Sequence, residues 1–241
     1  MKKIVVFILL IVMSSLFAQE LTLPTYYVEM DPADLETLID NPQDDTYFEA
    51  VFTFEETVYN CEIRFRGASS LDLYPQKPSW KVRFADNNNI FDAEKINLNA
   101  EYSDRSLMRN YVIMKLYQQR GYISSDVAFR NLFVNGEYQG LLIQIENVDE
   151  DYLSHNNFAP NHLYKAMNHG ANTAPLTHQR SWTRAWEKKI GNEGDYTDLQ
   201  GLINKIFYLT DEDFANEIEQ LVDVNNILNY FATEFAIVSK D

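Results

Sequence analysis

The side chains that could bind an anionic ligand are concentrated in one short basic stretch. Between positions 64 and 83 the chain carries five cations and the single carboxylate Asp72. The cations are Arg64, Arg66, Lys77, Lys81 and Arg83. The preceding stretch, from Ile4 to Ile63, has twelve acidic residues and no Lys or Arg. An acidic leader followed by a basic island predicts a local anion site, and ordinary solvated surface charge is the alternative.

A turn inside this stretch has the residue types of a phosphate-covering loop. It reads Arg66, Gly67, Ala68, Ser69 and Ser70. Glycine lets the backbone approach a ligand, and Ser hydroxyls with free N–H groups suit phosphate oxygens. Lys77 and Lys81 add two ammonium groups, and a loop between basic strands is how kinases cover nucleotide phosphates. The alternatives are a simple Gly-Ser turn and a solvated strand lysine.

Glu146 supplies a candidate carboxylate partner. It ends the apolar run from Leu141 to Ile145, where a carboxylate must be solvated or paired. Pairing with Lys81 would give the lysine–glutamate ion pair that orients a phosphate-binding lysine. An exposed glutamate at the end of a strand is the alternative.

Composition and missing motifs exclude several classes of protein. The chain has 241 residues, 46% of them hydrophobic, which is enough for a substantial core. A net charge of −16 argues against a protein that coats nucleic acid or anionic lipid, and a single Cys excludes an intrachain disulfide framework. There is no Walker lysine loop and no Gly-x-Ser-x-Gly. The four histidines have no zinc spacing, and we interpret them as loop residues.

The sequence predicts mostly strands in the first part of the chain and mostly helices in the last part. Alternating apolar residues predict strands over 48–54, 59–65 and 80–84, with Trp80, Val82 and Phe84 facing a core and Lys81 facing away. Asp104 is the predicted N-cap of a helix that ends at Gly121. A hairpin is predicted over 127–146 around Asn135-Gly136, and helices over 196–207, 213–221 and 224–236. The fold class is therefore α+β.

The amino terminus has the order of residues typical of a secretory signal peptide. Lys2 and Lys3 precede an apolar run from Ile4 to Met13, and small residues follow up to Ala18. The run is short for a membrane-spanning helix, so cleavage after Ala18 is favoured over an uncleaved anchor. We expect an exported chain without a transmembrane segment.

Several short motifs follow one another along the chain, and on this series the chain resembles the CotH family. That family is named for a bacterial spore-coat protein and is similar to atypical protein kinases. The motifs are Arg66 to Ser70, Lys77 to Phe84, Ile96 to Asn99, Asp104 to Asn110, Val134 to Gly140, Glu146, and Leu163 to Lys165. The resemblance covers roughly residues 60 to 241. It divides the chain into a signal peptide (1–18), an acidic β-rich leader (19–59) and a CotH kinase-like domain (60–241).

The resemblance implies a kinase-like fold, with a β-rich lobe that holds ATP and a helical lobe that carries the catalytic aspartate. On this sequence the turn of Arg66, Gly67, Ser69 and Ser70 would cover phosphates, with Lys77 and Lys81 contacting them. Glu146 would be the ion-pair partner. Asp241 would be the catalytic residue that accepts the proton of a Ser or Thr hydroxyl on a partner protein.

The chain departs from this pattern at its end. The asparagine expected a few residues after Asp241, and the downstream Trp-Asp-x-Asp segment whose aspartate would bind Mg²⁺, do not occur in the sequence. We therefore expect a fragment of a longer protein with little or no catalysis of its own. Two classes stay open: a secreted protein kinase that uses ATP and Mg²⁺, and a non-catalytic surface or adhesion module on a kinase-like scaffold.

Overall fold

Seven strands of the first two thirds of the chain form the body of the protein. The computed structural model describes residues 23–67, 71, 77–85, 90–159, 161–167 and 179–237. The strands are β1 (Thr25–Met30), β2 (Phe48–Phe54), β3 (Thr57–Arg66), β4 (Ser79–Phe84), β5 (Lys95–Asn99), β6 (Val127–Val134) and β7 (Glu137–Glu146). Within the described residues they close into a barrel in the order β1-β2-β3-β4-β5-β7-β6. The pairings are antiparallel except the closing one, in which β1 runs parallel to β6.

The barrel interior explains why the strands keep their register. Trp80, Val82 and Phe84 of β4 are almost fully buried. In the β3–β4 pairing these three lie opposite Phe65, Ile63 and Cys61, and the Phe65 and Trp80 rings meet edge to face at 4.5 Å. Because successive side chains of a strand point to opposite faces, the intervening polar residues lie outside the barrel. The predicted inward and outward faces of β4 are confirmed.

The hairpin of β6 and β7 is also confirmed. Asn135 and Gly136 both have positive φ, 48° and 79°, which the twist of a two-residue hairpin requires. Asn135 is tied to β1 as well, because its N–H donates to Val28 O and its Oδ1 accepts the N–H of Met30. The hairpin turn therefore helps to hold β1 beside β6, in the parallel pairing that closes the barrel.

Two helices pack on the barrel or near its ends, α1 (Pro32–Asp40) and α2 (Arg109–Gln119). The sequence places Asp104 as the N-cap of α2, but the helix begins five residues later. Leu107 has φ +55°, which interrupts the helix before Met108. The Asp104 carboxylate nevertheless accepts the N–H groups of Met108 and Arg109, at 3.0 and 2.8 Å, so it satisfies the first donors of the helix from a distance.

The last third is largely helical, as the sequence predicts. It comprises α3 (Glu150–His155), β8 (Leu163–Ala166), α4 (Gln179–Ala185), β9 (Trp186–Ile190), α5 (Thr197–Tyr208), α6 (Asp211–Leu221) and α7 (Val224–Ile237). The three predicted C-terminal helices are confirmed to within two residues at each end. Strand β9, which pairs with β8, is not predicted. Helix α7 reaches α2, where the Tyr117 hydroxyl donates to Glu234.

The comparison with the sequence-based fold class has two parts. The mixed α and β architecture, with a sheet-rich body, is confirmed. The closed seven-strand barrel does not clearly correspond to the kinase lobe that the resemblance implies. The proposed signal peptide lies outside the described residues, and within those residues no helix is long and apolar enough to cross a membrane.

Asp104 provides a stability test. Hydrogen bonds from Arg109 and Ser106 lower the pKa of its carboxyl from 3.8 to about 2. A carboxyl whose pKa is lower in the fold than in the unfolded chain stabilises the fold at pH values above its unfolded pKa. The contribution of Asp104 is therefore present at pH 7 and is lost as the pH falls from about 4 towards 2. We expect Asp104→Asn to lower Tm by a few degrees at pH 7.

The difference in Tm between Asp104→Asn and the unmodified protein should shrink as the pH falls below 4, measured by thermal denaturation monitored by circular dichroism. Asp211→Asn is the matched control, since Asp211 is an exposed carboxylate in the first turn of α6. A difference that stays constant between pH 7 and pH 3 would contradict the assigned cap.

Candidate functional site

The outer face of the barrel carries a row of polar residues across three strands. Lys81 of β4 lies opposite Arg64 of β3 on one side and opposite Asn97 of β5 on the other. One step along the same face, Arg66 lies opposite Ser79. The buried Trp80 and Val82 enforce this placement, because they occupy the barrel interior on either side of Lys81.

A cleft of about 250 Å³ opens at the end of this row. Its lining includes Arg66, Gly67, Ser79, Asn99, Glu101 and Asn110. Arg66 donates to Asn99 Oδ1, and Asn110 Nδ2 lies 2.9 Å from both carboxylate oxygens of Glu101. Glu101 has φ +49°, a sparsely populated conformation for a residue with a side chain. The cleft thus contains a guanidinium, a backbone glycine and a carboxylate already held by an amide.

Lys77 lies beside this cleft and is packed against the barrel. Its Nζ donates to the carbonyl of Ala100 at 3.1 Å. Its Cε lies 3.1 Å from where a Cβ at Gly140 would stand, so a side chain at Gly140 would push the lysine away. Burial lowers the pKa of Lys77, and the nearby Glu101 opposes that effect.

Lys81 is the most perturbed cation of the row. Burial first, and then the positive charges of Arg66 and Arg64, lower the pKa of its ammonium from 10.5 to about 8. Its Nζ donates to Asn147 Oδ1 at 3.2 Å. Within the part of the chain that the structure describes, Lys81 forms no ion pair with a carboxylate. A partly buried cation beside other cations is destabilising unless an anion binds next to it.

The expected Lys81–Glu146 ion pair is not formed in this structure. Glu146 lies opposite Ile96 in the β5–β7 pairing, and Ile96 faces the interior, whereas Lys81 faces outward. The Glu146 carboxylate accepts the Asp126 N–H at 3.1 Å and contacts His155 Nδ1 at 2.9 Å. Because successive side chains point to opposite faces of a sheet, the next residue, Asn147, lies on the same outer face as Lys81.

The remaining residues named from the sequence are placed as follows. Ser69, Ser70 and Asp241 lie outside the described residues, so their roles stay predictions. Arg66 and Gly67 meet in the cleft, with Lys77 beside it. Lys165 lies in β8, with its Nζ 4.0 Å from Glu187 Oε2. His155 ends helix α3 rather than lying in a loop.

Several residues of the site were not identified as site residues from the sequence, among them Asn97, Asn99, Glu101 and Asn147. The segment Ile96-Asn97-Leu98-Asn99 does contain a usable signal, because two asparagines alternate with two buried apolar residues. That pattern predicts two amides on the outer face of a strand. Glu101 and Asn147 lie just beyond strand ends, where no periodicity indicates which face a side chain joins.

Comparison with known proteins identifies the family. The family model described as "CotH kinase protein" matches residues 63–241. The chain belongs to the CotH family. The match starts in β3 and includes every residue of the polar row and the cleft.

This chain is also similar to a bacterial spore coat protein. "Inner spore coat protein H" of Bacillus subtilis (strain 168) is 31% identical over 215 residues, which cover 87% of this chain and 59% of that protein. The chain therefore spans less than two thirds of the relative's length. The family assignment of the sequence analysis is confirmed.

Lys81 gives the second stability test. A lysine whose folded pKa is lowered costs stability wherever it is charged in the fold, so the cost is complete below about pH 8 and disappears as the pH rises to about 10.5. Lys81→Met keeps the alkyl packing and removes the charge. We expect it to raise Tm by about 2–4 °C at pH 7, equivalent to roughly 1 kcal/mol.

This gain should shrink between pH 8 and pH 10, as measured by differential scanning fluorimetry. The matched control is Lys205→Met, since Lys205 is an exposed lysine of α5, and it should leave Tm within about 1 °C. A fall in Tm for Lys81→Met at pH 7 would show that the ammonium stabilises the fold and is not held for a ligand.

Proposed function

We propose that this CotH-family chain binds the phosphate groups of ATP at the Arg66 cleft and Lys81. The polypeptide that contains it would transfer a phosphate from ATP to Ser or Thr of a partner protein outside the cytoplasm. The observation that carries the proposal is the Lys81 ammonium, which is partly buried beside Arg64 and Arg66 and has an amide for its hydrogen-bond partner. A phosphate supplies the missing charge.

The residues present fit a phosphate ligand. Arg66 presents a planar donor group suited to bidentate contact with phosphate oxygens, and Lys81 presents a point charge. Arg64 Nε is buried with no hydrogen-bond partner among the described residues, so the same face has an unused donor. The exposed backbone of Gly67 adds a surface without a side chain at the cleft edge.

The catalytic part of the proposal rests on the family resemblance and on Asp241. The Asp241 carboxylate would accept the proton of the substrate hydroxyl. Within the described residues no three His, Cys, Asp or Glu side chains converge in a group that could hold a metal ion. We therefore assign no Mg²⁺ ligand to the described residues, and Mg²⁺ enters the proposal only as the ion that accompanies ATP.

The proposed location follows from the relative and from the amino terminus. The relative is named as a spore coat protein, and residues 1–18 have the composition of a signal peptide. We propose an exported protein that acts at a spore or cell surface, on a protein partner.

A non-catalytic binding module is the second candidate, and one observation favours it. The C-terminal helices expose large aromatic side chains, including Phe235 at 88%, Tyr208 at 72% and Phe231 at 62%. Exposed aromatic groups of this size are typical of surfaces that contact another protein. In this reading the barrel and helices would serve as a docking scaffold at the surface.

Nucleotide binding is tested by thermal shift on the protein expressed from its complete gene. With Mg-ATP at about 100 times Kd, mass action adds about 2.7 kcal/mol, which corresponds to a rise in Tm of several degrees. We expect Lys81→Met and Arg66→Gln to lose most of this rise. Lys205→Met should keep it.

An unmoved midpoint in the unmodified protein at millimolar Mg-ATP would reject nucleotide binding and favour the docking module. Adenosine without phosphates is the ligand control. If adenosine gave the same shift as ATP, the contacts would be to the base or sugar and not to the phosphates.

Phosphate transfer is tested with radiolabelled ATP and a Ser-containing acceptor protein from the same organism's surface extract. Loss of the proton acceptor in Asp241→Ala should lower the rate by about 10²–10⁴-fold while leaving the ATP-induced rise in Tm in place. Unchanged transfer by Asp241→Ala would remove Asp241 from the catalytic role. Binding without any transfer by the unmodified protein would favour the module.

A further inference from the structure

The hydrogen bonds around Lys81 form a chain that runs through Asn147 and ends on the carboxylate of Asp149. Lys81 Nζ donates to Asn147 Oδ1 at 3.2 Å. Asn147 Nδ2 in turn donates to Asp149 Oδ2 at 2.5 Å. The amide therefore stands between the cation and the anion, and its two ends are oriented by opposite charges. An amide held in this way has its oxygen fixed towards the lysine.

Asn97 supports the same arrangement from the neighbouring strand. It is opposite Lys81 in the β4–β5 pairing, and its Nδ2 donates to the same Asn147 oxygen at 3.2 Å. The side chain is 6% exposed, and its own Oδ1 has no hydrogen-bond partner among the described residues. A buried acceptor without a partner is unfavourable. Among the described residues, the site therefore contains an unused acceptor as well as a cation without a carboxylate partner.

Among the described residues, four cations from three other strands act on the Lys81 ammonium. Arg64 and Arg66 lie on β3, Lys95 on β5 and Lys189 on β9, and each of the four disfavours the charged ammonium. Asp149 acts on Lys95 and is separated from Lys81 by the amide.

We propose that Asn147, held by Asp149 and Asn97, is the positioning residue for Lys81 and takes the place of a carboxylate partner, so that the lysine is oriented for a phosphate without being neutralised beforehand. This inference rests on the proposed phosphate site, and it adds how that site is regulated by pH. A carboxylate in contact with the lysine would compete with the phosphate for the same charge. A neutral amide fixes the position of the ammonium and leaves its charge for the ligand.

The consequence is a binding reaction linked to proton uptake. With its pKa lowered to about 8, the Lys81 amine is partly neutral at pH 8.5. A bound phosphate favours the charged form and raises this pKa, so binding at pH 8.5 takes up a fraction of a proton. Affinity should accordingly fall as the pH rises from about 8 towards 10, and proton uptake should be small at pH 6.5.

The first experiment needs no ligand, so it separates this inference from the proposed function. The pKa of Lys81 is measured by NMR on protein with ¹³Cε-labelled lysine, and Lys81→Met assigns the signal. Asn147→Asp places a carboxylate in contact with the ammonium without changing the shape of the side chain. We expect an upward shift of about one to three pH units in Asn147→Asp.

Asn225→Asp is the matched control, since it adds the same charge at an exposed position in the first turn of α7, and it should leave the Lys81 pKa unmoved. An unchanged pKa in Asn147→Asp would overturn the positioning role, whether or not ATP binds.

The second experiment measures the linkage itself. Titration calorimetry with ATP is run at pH 8.5 in two buffers of different ionisation enthalpy, because the difference in heat reports the protons taken up. We expect uptake in the unmodified protein and in Asn225→Asp, and at least a halving of that uptake in Asn147→Asp.

Equal heats in the two buffers for the unmodified protein would overturn the proton linkage even if Asn147→Asp failed to fold. Absence of ATP binding in all three proteins would reject the proposed nucleotide site. In that outcome the NMR titration alone decides whether Asn147 positions Lys81.

Discussion

The burial of the β4 aromatic face inside a closed barrel is the constraint on which the site depends. Trp80 and Phe84 fill the interior together with Val82, and the strand has neighbours on both sides through β3 and β5. A slip of one residue would bring Lys81 into that interior and expose Trp80. The cost of burying an unpaired ammonium and of exposing a large aromatic ring excludes the slip. The outward position of Lys81 is therefore fixed by its apolar neighbours.

Alternation along a strand also explains which parts of the site could be predicted. The strand faces of β4, the Asn135-Gly136 hairpin and the three C-terminal helices follow from local periodicity and from turn residues, and those signals lie within a few residues of each other. The position of the Glu146 side chain could not be predicted from such local signals. Its identity and its position after an apolar run suggested a partner for Lys81, but its face depends on the pairing of β7 with β5, which is a relation between residues 50 positions apart.

The residues just beyond strand ends were the least predictable for the same reason. Asn147 and Glu101 have no alternation to assign them, and each is placed by contacts with distant side chains. Asn147 contacts Lys81 and Asn97, while Glu101 is held by Asn110. The start of α2 differed from its prediction because Leu107 adopts a positive φ, which leaves Asp104 to reach the helix from outside its first turn.

The strong acidity of the chain makes the unpaired Lys81 informative. Carboxylates are abundant, at 36 Asp and Glu against 20 Lys and Arg. Two arginines that neighbour Lys81 on the sheet form ion pairs with carboxylates. Arg83 is paired with Glu62 and Arg64 with Asp45, each at 2.5 Å. Lys81 stands between these pairs and contacts an amide. In a chain with so many acids, a partly buried lysine that has no carboxylate partner among the described residues reflects the local arrangement of β4, β5 and Asn147. That arrangement is stable only because the surrounding barrel is, and it leaves a positive charge on the outer face that an anionic ligand can complete.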